Sequence, residues 1–326
     1  MMENKELILS VRDLNMGFKT DYGYLPIIHD INFDIYSGET LGIVGESGSG
    51  KSVTSLCIMR LTDGGVIKGE VMVEGRNLLE LSEKEMQKIR GNQIAMIFQE
   101  PMTSLNPVFT IGYQLTEALR RHQNLSKKEA WNKAVEMLDK VRIAEPQQRM
   151  KEYPYQLSGG MRQRVMIAMM LACRPRLLIA DEPTTALDVT IPAQVLELMR
   201  DLQKEMGTSI MFITHDLGVI REMADRVLVL YCGEIMEEAP VQELFKDPKH
   251  PYTAGLMSTL PKYGQPGELP VIEGMVPPAG EFPAGCVFST RCPYATERCK
   301  ECKPALTQLG ENRRVRCFRY TEEQEV

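Results

Sequence analysis

GESGSGKS, residues 45–52, decides how this chain folds. It fits the pattern G-x-x-x-x-G-K-[ST], follows the apolar run TLGIV and leads into SVTSLCIMRL. A buried strand, a glycine loop and a helix are expected in that order, which is the context a phosphate loop requires. Glycine permits the tight turn and the close approach, so the N–H groups of Gly45, Glu46, Ser47, Gly48, Ser49 and Gly50 can wrap phosphate. Lys51 offers a point charge to the outer phosphates, Ser52 has a hydroxyl placed for Mg2+, and Val53 follows in the same helical turn. By chance the pattern arises in about one unrelated chain of this length in a hundred.

Other strand ends carry polar groups suited to the same chemistry. RLLIADEP (176–183) reads as an apolar strand delivering Asp181 and Glu182 to the carboxyl edge of a sheet, where open α/β sheets bind ligands. Asp181 suits a Mg2+ shell and Glu182 a general base that polarises water. Alone, such a pair is commonly a surface turn or helix cap; the phosphate loop changes its weight. His215, ending IMFITHD, and Gln99, after IAMIF, have the same placement, although a lone strand-end histidine is more often packed or exposed than catalytic. LSGGMRQRV (157–165) sets Ser158, Gly159 and Gly160 directly ahead of a helical run. Bare N–H groups at a helix start also attract phosphate, so the chain carries two such features.

Around these motifs the chain alternates between strand-like and helical runs, which predicts a mostly parallel sheet with helices on both faces. Between about 110 and 156 the pattern is helical: Ile111, Leu115 and Leu119 share one face, and Ser126 with Glu129 forms a capping box ahead of Trp131, Val135 and Leu138. RVLVLYCGEI reads as one further apolar run, and Cys57, Cys173 and Cys232 as core residues inside apolar elements. Past residue 250 prolines and glycines crowd the chain, and five of its eight cysteines follow. Hydrophobic residues make up 43% and charged ones 25%, the balance of a soluble globular protein. The net charge of −6 argues against a general nucleic-acid binder. VMIAMMLAC, the longest apolar run, has about half the length needed to cross a bilayer. The first residues lack a secretory signal, so a cytoplasmic setting with reduced or metal-binding cysteines is expected.

GESGSGKS, the glutamine of IFQEPMTSLNP, LSGGMRQR, LLIADEP, TALD and the histidine of ITHD, in this order, resemble the nucleotide-binding subunit of ABC transporters. The resemblance implies ATP and Mg2+ as ligands and an α/β fold: a P-loop NTPase (RecA-like) core with the antiparallel β and helical subdomains of ABC ATPases. It implies catalysis by Glu182, His215, Gln99 and Lys51, with Mg2+ on Ser52, Gln99 and Asp181. Phe18 resembles the aromatic that stacks on adenine, with Tyr22 and Tyr24 close by. Ser158, Gly159 and Gly160 would hold the γ-phosphate of an ATP bound to the opposite subunit, and Asp188 would sit at the same seam. Met161 stands where the family usually has glutamine.

FQEPMTSLNPVFTIG, DEPTTALDVTIPAQVL, HPYTAGLM and the cysteine tail resemble the ATPases of oligopeptide and dipeptide importers. That implies a paralogous ATPase partner, two membrane-spanning permease subunits, an extracytoplasmic binding protein, and a peripheral place on the cytoplasmic face of the membrane. Nickel or metallophore importers share the subfamily, and a soluble ABC ATPase without a transport role is the distant alternative. The expected division is a nucleotide-binding domain over 1–250, with a helical subdomain at about 100–160, and a cysteine-containing extension over 251–326. In the subfamily four thiolates hold an iron–sulfur cluster, and Cys286, Cys292, Cys299 and Cys317 resemble that motif. Four soft thiolates suit either [4Fe–4S] or tetrahedral Zn2+, and Cys302, in a C-x-x-C pair with Cys299, is a further candidate.

Overall fold

The computed structural model describes residues 5–99, 104–183, 191–260 and 271–321. The chain begins with β1 (Leu7–Thr20), β2 (Gly23–Tyr36) and β3 (Thr40–Val44), followed by α1 (Lys51–Ile58), β4 (Gly65–Val73) and β5 (Arg76–Asn77). Next come α2 (Glu83–Ile89), β6 (Ile94–Ile97), α3 (Ile111–Gln123), α4 (Lys127–Lys140), α5 (Pro146–Arg149) and α6 (Gly159–Leu171). β7 (Leu177–Asp181), α7 (Ile191–Met206), β8 (Ser209–Ile213), α8 (Leu217–Met223), β9 (Arg226–Tyr231) and β10 (Glu234–Pro240) follow. The C-terminal segment holds α9 (Val241–Lys246), α10 (Pro251–Ser258), α11 (Glu297–Glu301), β11 (Thr307–Gly310) and β12 (Arg313–Val315). Two units emerge: Met1–Ile8, Tyr36–Glu39 and Glu80–Met211 form the first, and Leu9–Ile35, Thr40–Leu79 and Phe212–Val326 the second.

In the first unit β6 and β7 lie parallel, with Ile94 opposite Leu177 and Ile97 opposite Ala180. Every residue of both strands is buried, as expected of a strand covered on two faces. The helices α3, α4 and α6 pack on one another. Ile111, Leu115 and Leu119 face inward as their spacing predicts, and the Ser126–Glu129 capping box forms. The buried stripe of α4 is Ala130, Ala134, Met137 and Leu138, while Trp131 and Val135 lie half-buried at its flank. A small-residue face lets neighbouring helices approach closely, which the larger residues alone do not reveal.

The second unit contains an antiparallel sheet in the order β2-β1-β4-β5. Its other strands run β11-β12-β10-β9-β3, with β3 and β9 parallel and the remaining neighbours antiparallel. RVLVLYCGEI is therefore not one run but a hairpin that folds back at Cys232 and Gly233. Cys232 has φ 47° and Gly233 φ 76°, and a Cβ on Gly233 would come within 2.1 Å of the Ile27 carbonyl. Cys232 is buried at that turn and Cys173 just after α6, rather than inside an element, whereas Cys57 lies within α1. All three thiols are pushed up by burial, Cys57 and Cys232 to about 12.

Strand β10 carries three buried carboxylates, Glu234, Glu237 and Glu238, each matched by a cation. Glu237, fully buried, accepts from Arg313 at 2.8 Å and from the backbone N–H groups of Lys249 and His250. Glu238 pairs with Arg226 and Arg314, and Glu234 with Lys303 at 2.7 Å. Charges this deep are tolerated only when paired. Arg313→Met, which leaves Glu237 without its counter-charge, is expected to lower stability by about 3–5 kcal/mol, read as a lower urea midpoint at unchanged slope.

Candidate functional site

Strand β3 ends at Val44 and the chain turns through Gly45–Gly50 into α1. Gly45 has no room for a side chain: a Cβ there would lie 2.2 Å from the Leu230 carbonyl on β9. Gly50, in the left-handed region at φ 98°, caps α1 without a side chain, and no carboxylate occupies the helix's first turn. Its N-terminal N–H groups thus keep their pull on an anion. Ser47 and Gly48 are exposed, whereas Ser49 and Lys51 are buried. Lys51 Nζ donates to the carbonyls of Gly45 at 2.7 Å and Glu46 at 2.9 Å. Ser52 and Val53 lie half-buried in the first turn. His215 is exposed just after β8, and Phe18 is half-buried on β1 opposite Gly65, while Tyr22 is fully exposed. All of these except Gly45, Ser49, Gly50 and Lys51 offer some surface to a ligand.

The first unit gathers a second set. Because Ile97 and Ala180 are register partners on parallel strands, Gln99 and Glu182 emerge side by side. Gln99 Nε2 donates to Glu182 Oε2 at 3.0 Å. Asp181, 4% exposed, ends β7, and Glu182 has φ 47°, a left-handed conformation that carbon side chains seldom adopt. Such outliers cluster where a side chain must be aimed for chemistry. A carboxylate held by an amide donor and a buried neighbour can together orient water and a divalent cation.

Ser158 caps α6, its hydroxyl accepting from the Met161 N–H at 3.3 Å, and both Ser158 and Gly159 are exposed. A Cβ on Gly159 would meet nothing within 4 Å, so the helix start opens outward. Arg162 fixes the preceding turn by donating to the carbonyls of Pro154 and Leu157. Gln163, fully buried, donates to the Pro183 carbonyl and so ties α6 to the end of β7. The sequence marks Gln163 only as a polar residue just ahead of the apolar helical run VMIAMMLA. Asp188 lies outside the described residues.

Cys286, Cys292, Cys299 and Cys317 line one cavity of about 260 Å³ together with His250, and Cys302 stays exposed outside that lining. Burial pushes Cys286 up to about 11 and raises Cys292 and Cys317 in the same way. Thiols so placed stay protonated unless a cation draws off the proton. Arg298 and Arg319 sit on the lining, stacked over Phe318 and Tyr294. Among the described residues no three His, Cys, Asp or Glu side chains are poised around a single metal ion.

Residues 28–185 match the ABC transporter family, and residues 236–299 match the oligopeptide/dipeptide transporter C-terminal region. The oligopeptide transport ATP-binding protein AppD of Bacillus subtilis is 52% identical over 97% of this chain and 98% of its own length. The chain belongs to the ABC transporter ATP-binding proteins. The oligopeptide transport ATP-binding protein OppD of Escherichia coli is 48% identical, over 98% of this chain and 96% of that one. Among solved structures, the dimeric ATP-binding cassette MJ0796 bound to ADP and Pi superposes with a TM-score of 0.64 at 30% identity, covering 72% of this chain and 99% of that one. This ABC protein is thus an ATPase with the cassette fold, mixed α/β with antiparallel and parallel sheets.

Proposed function

We propose that this ABC ATPase drives the import of di- and oligopeptides, working with a paralogous ATPase, two permease subunits and an extracytoplasmic binding protein on the cytoplasmic face of the membrane. Its carrying observation is the outward-facing start of α6 at Ser158 and Gly159, a phosphate-type helix terminus with no glycine-lysine loop of its own. In this reading Ser158, Gly159 and Gly160, with Asp188 at the same seam, close over an ATP seated on the partner's P-loop. The partner's signature helix in turn closes over the ATP of this chain. A triphosphate bonded from both sides joins the subunits until it is cut, giving a switch driven by hydrolysis.

Residues Gly45 to Val53 wrap the phosphates of the chain's own nucleotide, Lys51 neutralises the outer ones, and Phe18 stacks on the base. Ser52, Asp181 and Gln99 surround Mg2+. Glu182 draws the proton from the attacking water while His215 contacts the γ-phosphate. The domain division proposed is 1–250 for nucleotide binding and 251–326 for the extension. Further along the chain from Gln99, Val108, Phe109 and Tyr113 are exposed and the rings of Phe109 and Tyr113 stack at 4.6 Å. Together with the groove formed by Arg90, Gln114, Arg121 and His122, they supply an apolar, partly basic seat for a permease segment.

For the cysteine site the reading is an iron–sulfur cluster held by Cys286, Cys292, Cys299 and Cys317. A single Zn2+ needs all its sulfurs within about 2.3 Å of one point, whereas four thiolates spread around a cavity suit a larger cluster. Arg298 and Arg319 would offset its negative charge. When bound, the cluster would cross-link an extension rich in loops; the four cysteines would give up their thiol protons and hold it through their sulfurs.

Two measurements test these assignments. Glu182→Gln is expected to cut ATP turnover about 100-fold or more, while an ATP-bound dimer persists in gel filtration; turnover at the wild-type rate removes Glu182 from the role of base. After anaerobic purification the chain is expected to hold iron with visible absorbance, and Cys286→Ser to lose both. One zinc per chain and no iron would contradict the cluster.

A further inference from the structure

Glu46 is the second residue of the P-loop, and it is gripped from the C-terminal segment at three points. Its backbone N–H donates to Tyr252 Oη at 2.8 Å. Its carboxylate accepts from Arg291 Nη1 at 2.6 Å and Nη2 at 3.2 Å, a two-pronged ion pair. Its carbonyl accepts from Lys51, so the residue that meets the C-terminal segment also seats the loop's lysine. Arg291 is 4% exposed along its side chain. The remaining donors are used as well: Nε on the Glu273 carbonyl, Nη2 on the Ile272 carbonyl and Nη1 on Tyr231 Oη. Tyr231, Tyr252 and Phe288 pack ring against ring beneath this junction. Arg291 immediately precedes Cys292, one of the four cysteines lining the shared cavity.

This pairing answers an electrostatic difficulty. A carboxylate on a loop that must receive a polyanion repels its ligand, and a buried, bidentate guanidinium both cancels that charge and fixes where it points. Arg291 has every donor already placed, on Glu46, Tyr231, Ile272 and Glu273, and so loses no further freedom when nucleotide enters.

We propose that Arg291 is a positioning residue for nucleotide binding: from the C-terminal segment it neutralises and orients Glu46, and with Tyr252 it holds the P-loop ready for the phosphates. Linkage is reciprocal, so nucleotide on the P-loop in turn steadies the segment around Cys286–Cys292. The inference rests on the P-loop's binding ATP, as the proposed function has it.

The test measures the dissociation constant of Mg2+·ATP for the purified full chain and its variants. Arg291→Met is expected to weaken binding about 5- to 50-fold, and Arg291→Lys, which keeps the charge but not the fork, to fall between. Adding Glu46→Gln to Arg291→Met removes the uncompensated carboxylate and is expected to restore binding to within a few-fold of wild type. A general loss of structure would not be repaired by that second change. Wild-type affinity in Arg291→Met, or a double variant as weak as the single one, overturns the proposal. Should Arg291→Met not fold, the wild-type chain decides: Mg2+·ATP must slow amide hydrogen exchange over residues 286–292, and unchanged exchange overturns the proposal. Lys51→Ala separates the two readings, since undiminished ATP binding in that variant defeats the nucleotide assignment itself.

Discussion

Phosphate can be held by backbone N–H groups only where no side chain stands between them and the ligand, and here that constraint shapes everything around residues 45–50. Gly45 is pressed against the Leu230 carbonyl so closely that a single extra carbon would collide with it. The loop is thus seated on β9, whose parallel pairing with β3 brings it there. From the hairpin that follows β9, Gly233 donates its N–H to the Ser49 carbonyl at 3.0 Å, and its own carbonyl accepts from His29 at 2.8 Å. A turn distant in sequence and two glycines, one on each side of the contact, therefore define the cradle together.

The C-terminal segment reaches the same cradle by charge. The arginines of NRRVR find the buried glutamates of β10, and β12 pairs with that strand. His250 completes the arrangement as the cap of α10: its Nδ1 accepts from the Tyr252 N–H at 3.0 Å, and complete burial pushes it down to about 3, so it is neutral. With the helix thus set, Tyr252 points its hydroxyl at Glu46. Paired charges buried at this depth favour one register over others, since any slip leaves a carboxylate alone.

What was legible in the sequence was what is local in the chain. The P-loop and the Ser126–Glu129 box are fixed spacings enforced by one turn of backbone, and both take the form their residues require. Gln99 and Glu182 could be placed at strand ends, although their hydrogen bond depended on a register that no single strand encodes. The fold-back at Cys232 was hidden because cysteine is an unusual residue for a positive φ and the run before it, VLVLY, is apolar throughout. Arg291 was illegible for a simpler reason: it lies 245 residues from Glu46, and nothing in either neighbourhood names the other.

At the centre of this account is a nucleotide shared between two polypeptides. The direct measurement uses an ATP analogue carrying a photoreactive γ-phosphate, in the assembled transporter whose copy of this chain bears Lys51→Ala. If ATP on the partner's P-loop is closed over by this chain, the label attaches beside Ser158 even though this chain's own loop is disabled. Loss of that label with Lys51→Ala, while the partner's loop still binds nucleotide, would contradict the account.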